Sequence, residues 1–151
     1  MDVFRICLEK WGERLAASGR PARWNSAGTM VVYTAESRAL ACLENLVHRS
    51  GEGEEQRYLV LRIRIPDHLH PERVDEAGLP EDWTSAVHIE RTRALGDAFV
   101  RAGKSALLRM PSALIAGEYN YLLNVMHPDF SEIRIIDREV FRFDRRLGAP
   151  K

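Results

Sequence analysis

The alternation of apolar and polar positions predicts two strands in the first half of the chain. Residues 30–34, MVVYT, are mostly β-branched or aromatic and follow Gly28, which is typical of a buried strand. Residues 58–65 carry leucine or isoleucine at positions 59, 61, 63 and 65, and arginine at positions 62 and 64. This second pattern predicts a strand with one face toward solvent.

Apolar residues that recur with a period of about 3.6 predict two amphipathic helices. The first covers residues 38–48 and has Ser37 as its N-cap. The second covers residues 89–102 and ends at Gly103, because glycine readily adopts the left-handed conformation that terminates helices.

The remaining segments complete an α+β pattern. Residues 106–110 predict a strand that ends at Pro111, and residues 133–143 have strand character with a tight turn at Asp137-Arg138. Residues 48–56 and 66–85 are rich in polar residues, Gly or Pro and indicate surface loops. Because strands and helices follow each other without a regular βαβ rhythm, we expect a single α+β domain, residues 1–151, around a central mixed sheet.

Size and charge narrow the class of protein. The chain has 151 residues, with 22 Lys or Arg against 22 Asp or Glu, so its formal net charge is zero. This balance gives no argument for nucleic acid or an anionic membrane, and we expect neither as a direct partner. The N-terminal residues lack the apolar core of a signal peptide, and no run approaches the roughly 20 apolar residues of a membrane span. We therefore expect a cytoplasmic protein.

Several common site motifs are absent from the sequence. It contains no G-x-G-x-x-G, no Walker loop, no C-x-x-C, no H-E-x-x-H and no G-x-S-x-G. His68 and His70 would supply two metal ligands, but no neighbouring Cys or carboxylate cluster completes a site, so we expect exposed histidines and no metal. Cys7 and Cys42 are too few for a disulfide framework, and we expect buried, reduced thiols.

Four side chains are candidates for chemistry, and each also has a structural interpretation. Arg23, beside Trp24, would hold a phosphate, or else it is a surface arginine next to a packing tryptophan. Tyr33 would stack on a flat heterocycle or bond a ribose, or else pack in the core. Glu44, at the edge of the apolar helix face, is either aimed into a pocket or a surface group. Ser112 stands at a strand end, where ligands are often bound.

A polar set follows Ser112 within residues 109–129. Its members are Glu118, Asn120, Asn124 and His127, and His127 precedes a proline. Side chains of this kind either contact a ligand or satisfy the backbone of a structured loop.

The order of these features resembles the RES domain family, which is named for an Arg, a Glu and a Ser. Those residues match Arg23, Glu44 and Ser112 here, with Tyr33 as the usual fourth member. The resemblance covers essentially the whole chain through Gly28, residues 31–35, 39–41, Leu43, His48, Pro111, Glu118, residues 120–121, Asn124, residues 127–128 and 141–147. One departure is Asn124-Val125, where many relatives carry Asn-Pro; we expect it to alter a turn.

The resemblance implies an ADP-ribosyltransferase-like fold and an enzyme that degrades NAD⁺ as the toxin of a bacterial toxin–antitoxin pair. NAD⁺ is then a substrate, with inorganic phosphate as a candidate co-substrate, and no cofactor is implied. The implied partner is an Xre-type antitoxin that covers the active site, and the toxin is expected to dimerise within the complex.

The residue types suit that reaction. Cleavage of the nicotinamide–ribose bond passes through an oxocarbenium-like state, which the carboxylate of Glu44 would stabilise, while Arg23 would hold the pyrophosphate or an incoming phosphate. Tyr33 would pack against the nicotinamide end, and Ser112 would hydrogen-bond the ribose or the amide. The remaining candidates for substrate binding are Asn120 and His127.

The sequence leaves the acceptor open. An NAD⁺ phosphorylase, an NAD⁺ glycohydrolase and a protein mono-ADP-ribosyltransferase would all use the same residues. A catalytically inactive module that only binds the antitoxin is the alternative from a different class, although all four candidate residues are present.

Overall fold

The computed structural model describes residues 1–48, 56–144 and 146–147. Its strands are β1 (Asp2–Leu8), β2 (Val31–Ala35), β3 (Tyr58–Arg64), β4 (Glu72–Arg73), β5 (Leu107–Pro111), β6 (Tyr119–Asn124) and β7 (Arg134–Phe141). Its helices are α1 (Arg38–His48) and α2 (Ile89–Ala102). Short 3-10 turns occupy Glu9–Trp11, Glu76–Gly78, Ala86–His88 and Pro128–Glu132.

All seven strands form one sheet, in the order β4-β5-β6-β2-β1-β3-β7. The pair β4–β5 is parallel, and the remaining pairs are antiparallel. The expected α+β fold with a mixed sheet is therefore confirmed. No helix in the described ranges is long and apolar enough to cross a membrane.

Both helices pack on the same face of the sheet, which we call the helix face. There α1 contributes Leu40 and Ala41 to an apolar cluster with Ile6 of β1. Farther along the same face, α2 contributes Phe99 to a second apolar cluster with Leu122 of β6. The opposite face carries the largest cluster, which connecting segments cover with the side chains of Leu15, Ala17, Leu69 and Phe130.

The regular elements that show a clear period lie where the sequence predicts them. The helix over residues 38–48 begins with the side chain of Ser37, whose Oγ accepts a hydrogen bond from the Leu40 amide at 3.1 Å. The helix over residues 89–102 ends at Gly103, which has a φ of 56°. The strands at 31–35, 58–64 and 107–111 differ from the predicted bounds by one residue at most at each end.

Two strands without a clear period were not predicted. β1 carries Arg5 in the middle of an apolar run, and both of its faces are partly covered, so its sequence shows no alternation. β6 lies within residues 109–129, where the polar side chains had a structured loop as one of their two interpretations. Instead Asn120 and Asn124 are 8% and 2% exposed in a strand that pairs on both sides.

The predicted tight turn at Asp137-Arg138 is wrong, because β7 runs through it. Arg62 lies opposite Asp137 and Ile63 lies opposite Ile135, so one extra residue, a β-bulge, replaces the turn. Within the predicted loop 66–85 the chain adds the short strand β4. Of the predicted loop 48–56, residues 49–55 lie outside the described residues.

Both cysteines are free thiols, as their number suggested. Cys7 is buried in the strand β1, whereas Cys42 on α1 is only half-buried, so the expectation of two buried thiols holds for the first alone. Burial raises the pKa of both thiols, which keeps them protonated at neutral pH.

At Gly96, α2 packs directly against the main chain of Trp24, in the segment before β2. A Cβ placed on Gly96 would lie 1.7 Å from the carbonyl oxygen of Trp24 and 2.8 Å from its carbonyl carbon. Backbone atoms cannot yield as a flexible side chain can. Glycine is therefore required at position 96 for the helix and this segment to approach each other as they do.

We expect Gly96→Ala to lower the free energy of unfolding by about 2–3 kcal/mol, because the added methyl group forces the two segments apart. In an unobstructed helix the same change would stabilise by up to about 1 kcal/mol. Denaturant unfolding measures the difference. Gly78→Ala is the control, since its Cβ would meet the nearest atom at an ordinary 3.6 Å; equal effects at both positions would contradict the interpretation.

Candidate active site

Glu44 of α1 lies against the point where β5 ends and β6 begins. Its Oε1 accepts hydrogen bonds from Ser112 Oγ at 3.2 Å and from Asn120 Nδ2 at 2.5 Å. Glu44 is half-buried, whereas Ser112 and Asn120 are buried. The structure thus brings together three residues that the sequence singled out, although 68 and 76 positions separate Glu44 from its two partners.

The hydroxyl of Ser112 is fully engaged. Its Oγ accepts hydrogen bonds from the amides of Leu114 at 3.1 Å and Ile115 at 3.3 Å, which shape the turn after β5. Since an ionised carboxylate has no proton to give, the hydroxyl donates its own proton to Glu44. Ser112 therefore orients Glu44 and has no free lone pair with which to attack a substrate.

The second carboxylate oxygen of Glu44 is available. Glu44 Oε2 has no hydrogen bond to any described residue, and it is not among the buried polar atoms that lack a partner. A carboxylate held by one oxygen and open at the other is suited to approach a positively charged or hydroxyl-bearing ligand.

Tyr33 of β2 points to the helix face beside this cluster. Tyr33 lies opposite Leu122 and Ala35 lies opposite Asn120, so Tyr33 and Asn120 are diagonal neighbours on one face. Burial raises the pKa of the Tyr33 phenol, and the negative charges of Asp97 and Glu44 also favour the protonated form. Tyr33 is therefore a neutral hydrogen-bond donor at physiological pH.

The phenol of Tyr33 holds the segment that carries Arg23. Tyr33 OH donates to Asn25 Oδ1 at 2.7 Å and accepts from the Trp24 amide at 3.1 Å. Asn25 is 1% exposed and donates from Nδ2 to the carbonyl oxygens of Arg20 and Ser26, so this anchor is rigid.

Arg23 itself contacts the loop before α2. Its Nη1 donates to the carbonyl oxygen of Trp83 at 3.2 Å and, more weakly, to that of Ser85 at 3.5 Å. The rings of Trp24 and Trp83 pack with their centroids 5.6 Å apart. No hydrogen bond or ion pair joins Arg23 to Glu44 within the described residues, and its Nε and Nη2 have no partner there either.

Arg5 is a candidate site residue that the sequence reasoning missed. It lines a pocket of about 150 Å³ together with Arg20, Asn25, Val31 and Tyr33. The guanidinium of Arg5 has no hydrogen bond or ion pair in the described part of the chain, and burial lowers its pKa without making it neutral. A cation kept there without a partner indicates an anionic ligand. A lone arginine inside the apolar run VFRIC was the available signal.

His127 is not part of this cluster. Its Nδ1 accepts a hydrogen bond from the Asp129 amide at 3.2 Å and caps a 3-10 turn. It follows the far end of β6, beyond Asn124, whereas Asn120 stands at the start of that strand. The polar side chains at this end satisfy the backbone, as the structured-loop interpretation supposed; Asn124 Oδ1 accepts from the Met126 amide at 3.0 Å.

The other histidines that we considered form no metal centre. His68 Nε2 lies 3.1 Å from Glu132 Oε2, and the carbonyl oxygen of His70 accepts a hydrogen bond from Ser105. Within residues 1–48, 56–144 and 146–147, no three His, Cys, Asp or Glu side chains are grouped to hold a metal ion.

The chain resembles one protein family along nearly its whole length. The family model described as the RES domain matches residues 2–145. A protein named Prs ADP-ribosylating toxin, from Sphingobium sp., is 36% identical over 128 residues, covering 83% of this chain and 79% of its own length. A protein named Toxin Res, from Photorhabdus laumondii, is 34% identical over 157 residues, covering 100% of this chain and 99% of its own length.

A solved structure has a similar fold. It is the toxin–antitoxin complex MbcT–MbcA of M. tuberculosis, which matches with a TM-score of 0.72 over 93% of this chain and 83% of the matched chain. The sequence identity of 16% limits this likeness to the fold. The expected resemblance is confirmed by the family model and the two curated relatives together: the chain belongs to the RES domain family.

Proposed function

We propose that this protein is an NAD⁺-degrading toxin of a bacterial toxin–antitoxin pair, which cleaves the nicotinamide–ribose bond with phosphate or water as the acceptor. The observation that carries the proposal is the carboxylate of Glu44, held at Oε1 by Ser112 and Asn120 and open at Oε2. Relatives that are named toxins support the biological role.

The chemistry requires little more than this carboxylate. The C–N bond to nicotinamide breaks with its electron pair going to the ring nitrogen, so the leaving group departs neutral and needs no general acid. Positive charge develops on the ribose, and Glu44 stabilises it. An oxygen of phosphate or water then bonds to the ribose carbon, and any proton that this oxygen carries passes to solvent.

The arginines hold the rest of the substrate. Arg5 has no hydrogen-bond or ion-pair partner among the described residues, and Arg23 has two donor groups without a partner there. Both bind the negatively charged pyrophosphate. Tyr33, whose phenol accepts from the Trp24 amide and which is a diagonal neighbour of Asn120, packs against the nicotinamide ribose. Ser112 and Asn120 act by orienting Glu44, and His127 is left out of the proposed site.

An antitoxin partner is part of the proposal. The similar fold was solved as a toxin–antitoxin complex, which supports a protein partner, and we propose an Xre-type one that covers the site. Leu43 and Val47 on α1 and Leu114 after β5 are 36%, 59% and 38% exposed. Such apolar side chains beside Glu44 and Ser112 suit a protein contact. Dimerisation of the toxin stays a prediction.

A protein mono-ADP-ribosyltransferase is the second candidate. The observation that favours it is the relative named Prs ADP-ribosylating toxin, at 36% identity. The same cleft would then deliver ADP-ribose to a side chain of another protein.

Antitoxin-free protein incubated with NAD⁺, with and without phosphate, tests the proposal. We expect release of nicotinamide and of ADP-ribose or its 1-phosphate. Release that requires phosphate indicates a phosphorylase, and phosphate-independent release indicates a hydrolase. Label from NAD⁺ appearing on protein would indicate the transferase instead. Folded, antitoxin-free protein that releases no nicotinamide would overturn the enzymatic proposal.

We expect Glu44→Gln to lower the rate of nicotinamide release by about 100-fold or more, because it removes the charge that stabilises the transition state. The fold should persist, since the amide oxygen of glutamine still accepts from Ser112 and Asn120. Initial rates at saturating NAD⁺ measure the effect.

The matched control for that variant is Glu36→Gln. Glu36 also accepts a hydrogen bond beside β6, but from the Tyr119 amide at 2.9 Å and at a position that the mechanism does not use. Its rate should stay within about twofold of wild type. Equal losses in the two variants, or an unimpaired Glu44→Gln, would refute the role of Glu44.

Arg5→Met should separate stability from binding. Removing a half-buried cation that has no partner among the described residues should leave the melting temperature of the free protein unchanged or higher. The stabilisation by saturating NAD⁺ should become clearly smaller, because the pyrophosphate loses one of its two counter-charges and keeps only Arg23. Thermal unfolding with and without NAD⁺ measures both effects in one experiment.

Arg14→Met is the control, because Arg14 is exposed in the segment that follows β1. It should change neither the melting temperature of the free protein nor the shift produced by NAD⁺. An Arg5→Met protein that is still stabilised by NAD⁺ like wild type would show that Arg5 faces no ligand.

A further inference from the structure

One face of α2 holds the segment before β2 through four residues, which we call the α2 clamp: Thr92, Arg93, Gly96 and Asp97. Thr92 Oγ1 donates to the carbonyl oxygen of Arg23 at 2.6 Å. Arg93 Nε donates to the carbonyl oxygen of Ala22 at 2.9 Å. Gly96 allows the backbone of Trp24 to touch the helix, and Asp97 accepts hydrogen bonds from the amide of Ser26 at 3.0 Å and the hydroxyl of Thr29 at 2.7 Å.

Thr92 is the most informative member of the clamp, because packing of the helix alone would not require a threonine at its position. It is 0% exposed in the interior of α2, where an apolar residue would ordinarily pack better. Its hydroxyl also approaches the carbonyl oxygen of Ile89 at 3.0 Å, but the shorter contact is to Arg23. Thr92 thus uses a buried polar group to hold the main chain of one particular residue.

Arg23 is consequently held at both ends. Its carbonyl oxygen is bound to Thr92, and its guanidinium is bound through Nη1 to the loop residues Trp83 and Ser85. The next residue is anchored by the phenol of Tyr33. An arginine restrained in this way loses little conformational entropy when its remaining donors bind an anion.

We propose that Thr92 is a positioning residue that sets Arg23 for the anionic part of the substrate. This inference rests on the proposed function, in which Arg23 binds the pyrophosphate of NAD⁺. Thr92 has no contact with substrate in this scheme and acts through the backbone of Arg23. Its loss therefore weakens binding of the anion and leaves the chemistry at Glu44 largely unchanged.

The experiment compares Thr92→Val with Thr34→Val. Thr34 is also buried and also donates to a backbone carbonyl oxygen, that of Tyr121 at 3.1 Å, but it points away from the helix face. Both variants remove one buried hydroxyl without changing the shape of the side chain, so they should lose similar stability. Only Thr92→Val should alter the site.

We expect Thr92→Val to raise the KM for NAD⁺ and the Kd for ADP-ribose about tenfold, with kcat within about twofold of wild type. Thr34→Val should change these constants less than twofold. Thr92→Ser keeps the hydroxyl and should restore both. In an Arg23→Ala background, Thr92→Val should cause no further loss, because its effect passes through Arg23.

The possible results are distinguishable. If Thr92→Val resembles Thr34→Val while the wild type cleaves NAD⁺, the inference fails and the proposed function stands. A wild type that neither binds ADP-ribose nor cleaves NAD⁺ overturns both. Should Thr92→Val not fold, Thr92→Ala removes the same hydroxyl from the Arg23 carbonyl oxygen, and a KM for NAD⁺ like that of wild type would contradict the inference.

Discussion

The strands β1 and β2 are paired at one position only, and the candidate site forms where they separate. These neighbours pair only at Phe4 opposite Ala35, whereas β1 follows β3 through seven pairs and β2 follows β6 through five. The two halves of the sheet are therefore continuous near one end of β2 and open at the other. The chain between the 3-10 turn at Glu9–Trp11 and β2 lies partly at this opening, where it lines the same pocket as Arg5.

The helix face is also divided into two parts, each with its own apolar cluster. α1 and α2 each cover their own apolar cluster, and Tyr33, Asn120 and Glu44 lie near the boundary between the two. Polar groups at such a boundary keep one side accessible, while the neighbouring cores fix their positions. On the opposite face, Arg5 lies in line with Val3 and Cys7. It is half-buried and has no partner among the described residues, which costs stability and leaves a cation ready for a ligand.

Much of the secondary structure and part of the site could be predicted from the sequence. The period of α1 and α2, the cap at Ser37 and the stop at Gly103 are local signals, and they predicted the helices correctly. The order along the chain made Arg23, Tyr33, Glu44 and Ser112 candidates, and the structure brings Glu44 and Ser112 into contact. The sequence did not predict β1, because burial on both faces removes the alternation of apolar and polar residues. It did not predict β6, because the asparagines of this strand have partners that are distant in sequence.

The sequence by itself determined the local elements, the α+β class and the family, because periodicity, caps and motif order are properties of neighbouring residues. Only the tertiary structure decided which polar residues act together. It joined Glu44 to Ser112 and Asn120, kept His127 at the far end of β6, and placed Arg5 at a pocket with no partner among the described residues. Hydrogen bonds between distant segments and the burial of a charge depend on how strands and helices pack, and the order of residues along the chain does not reveal that packing.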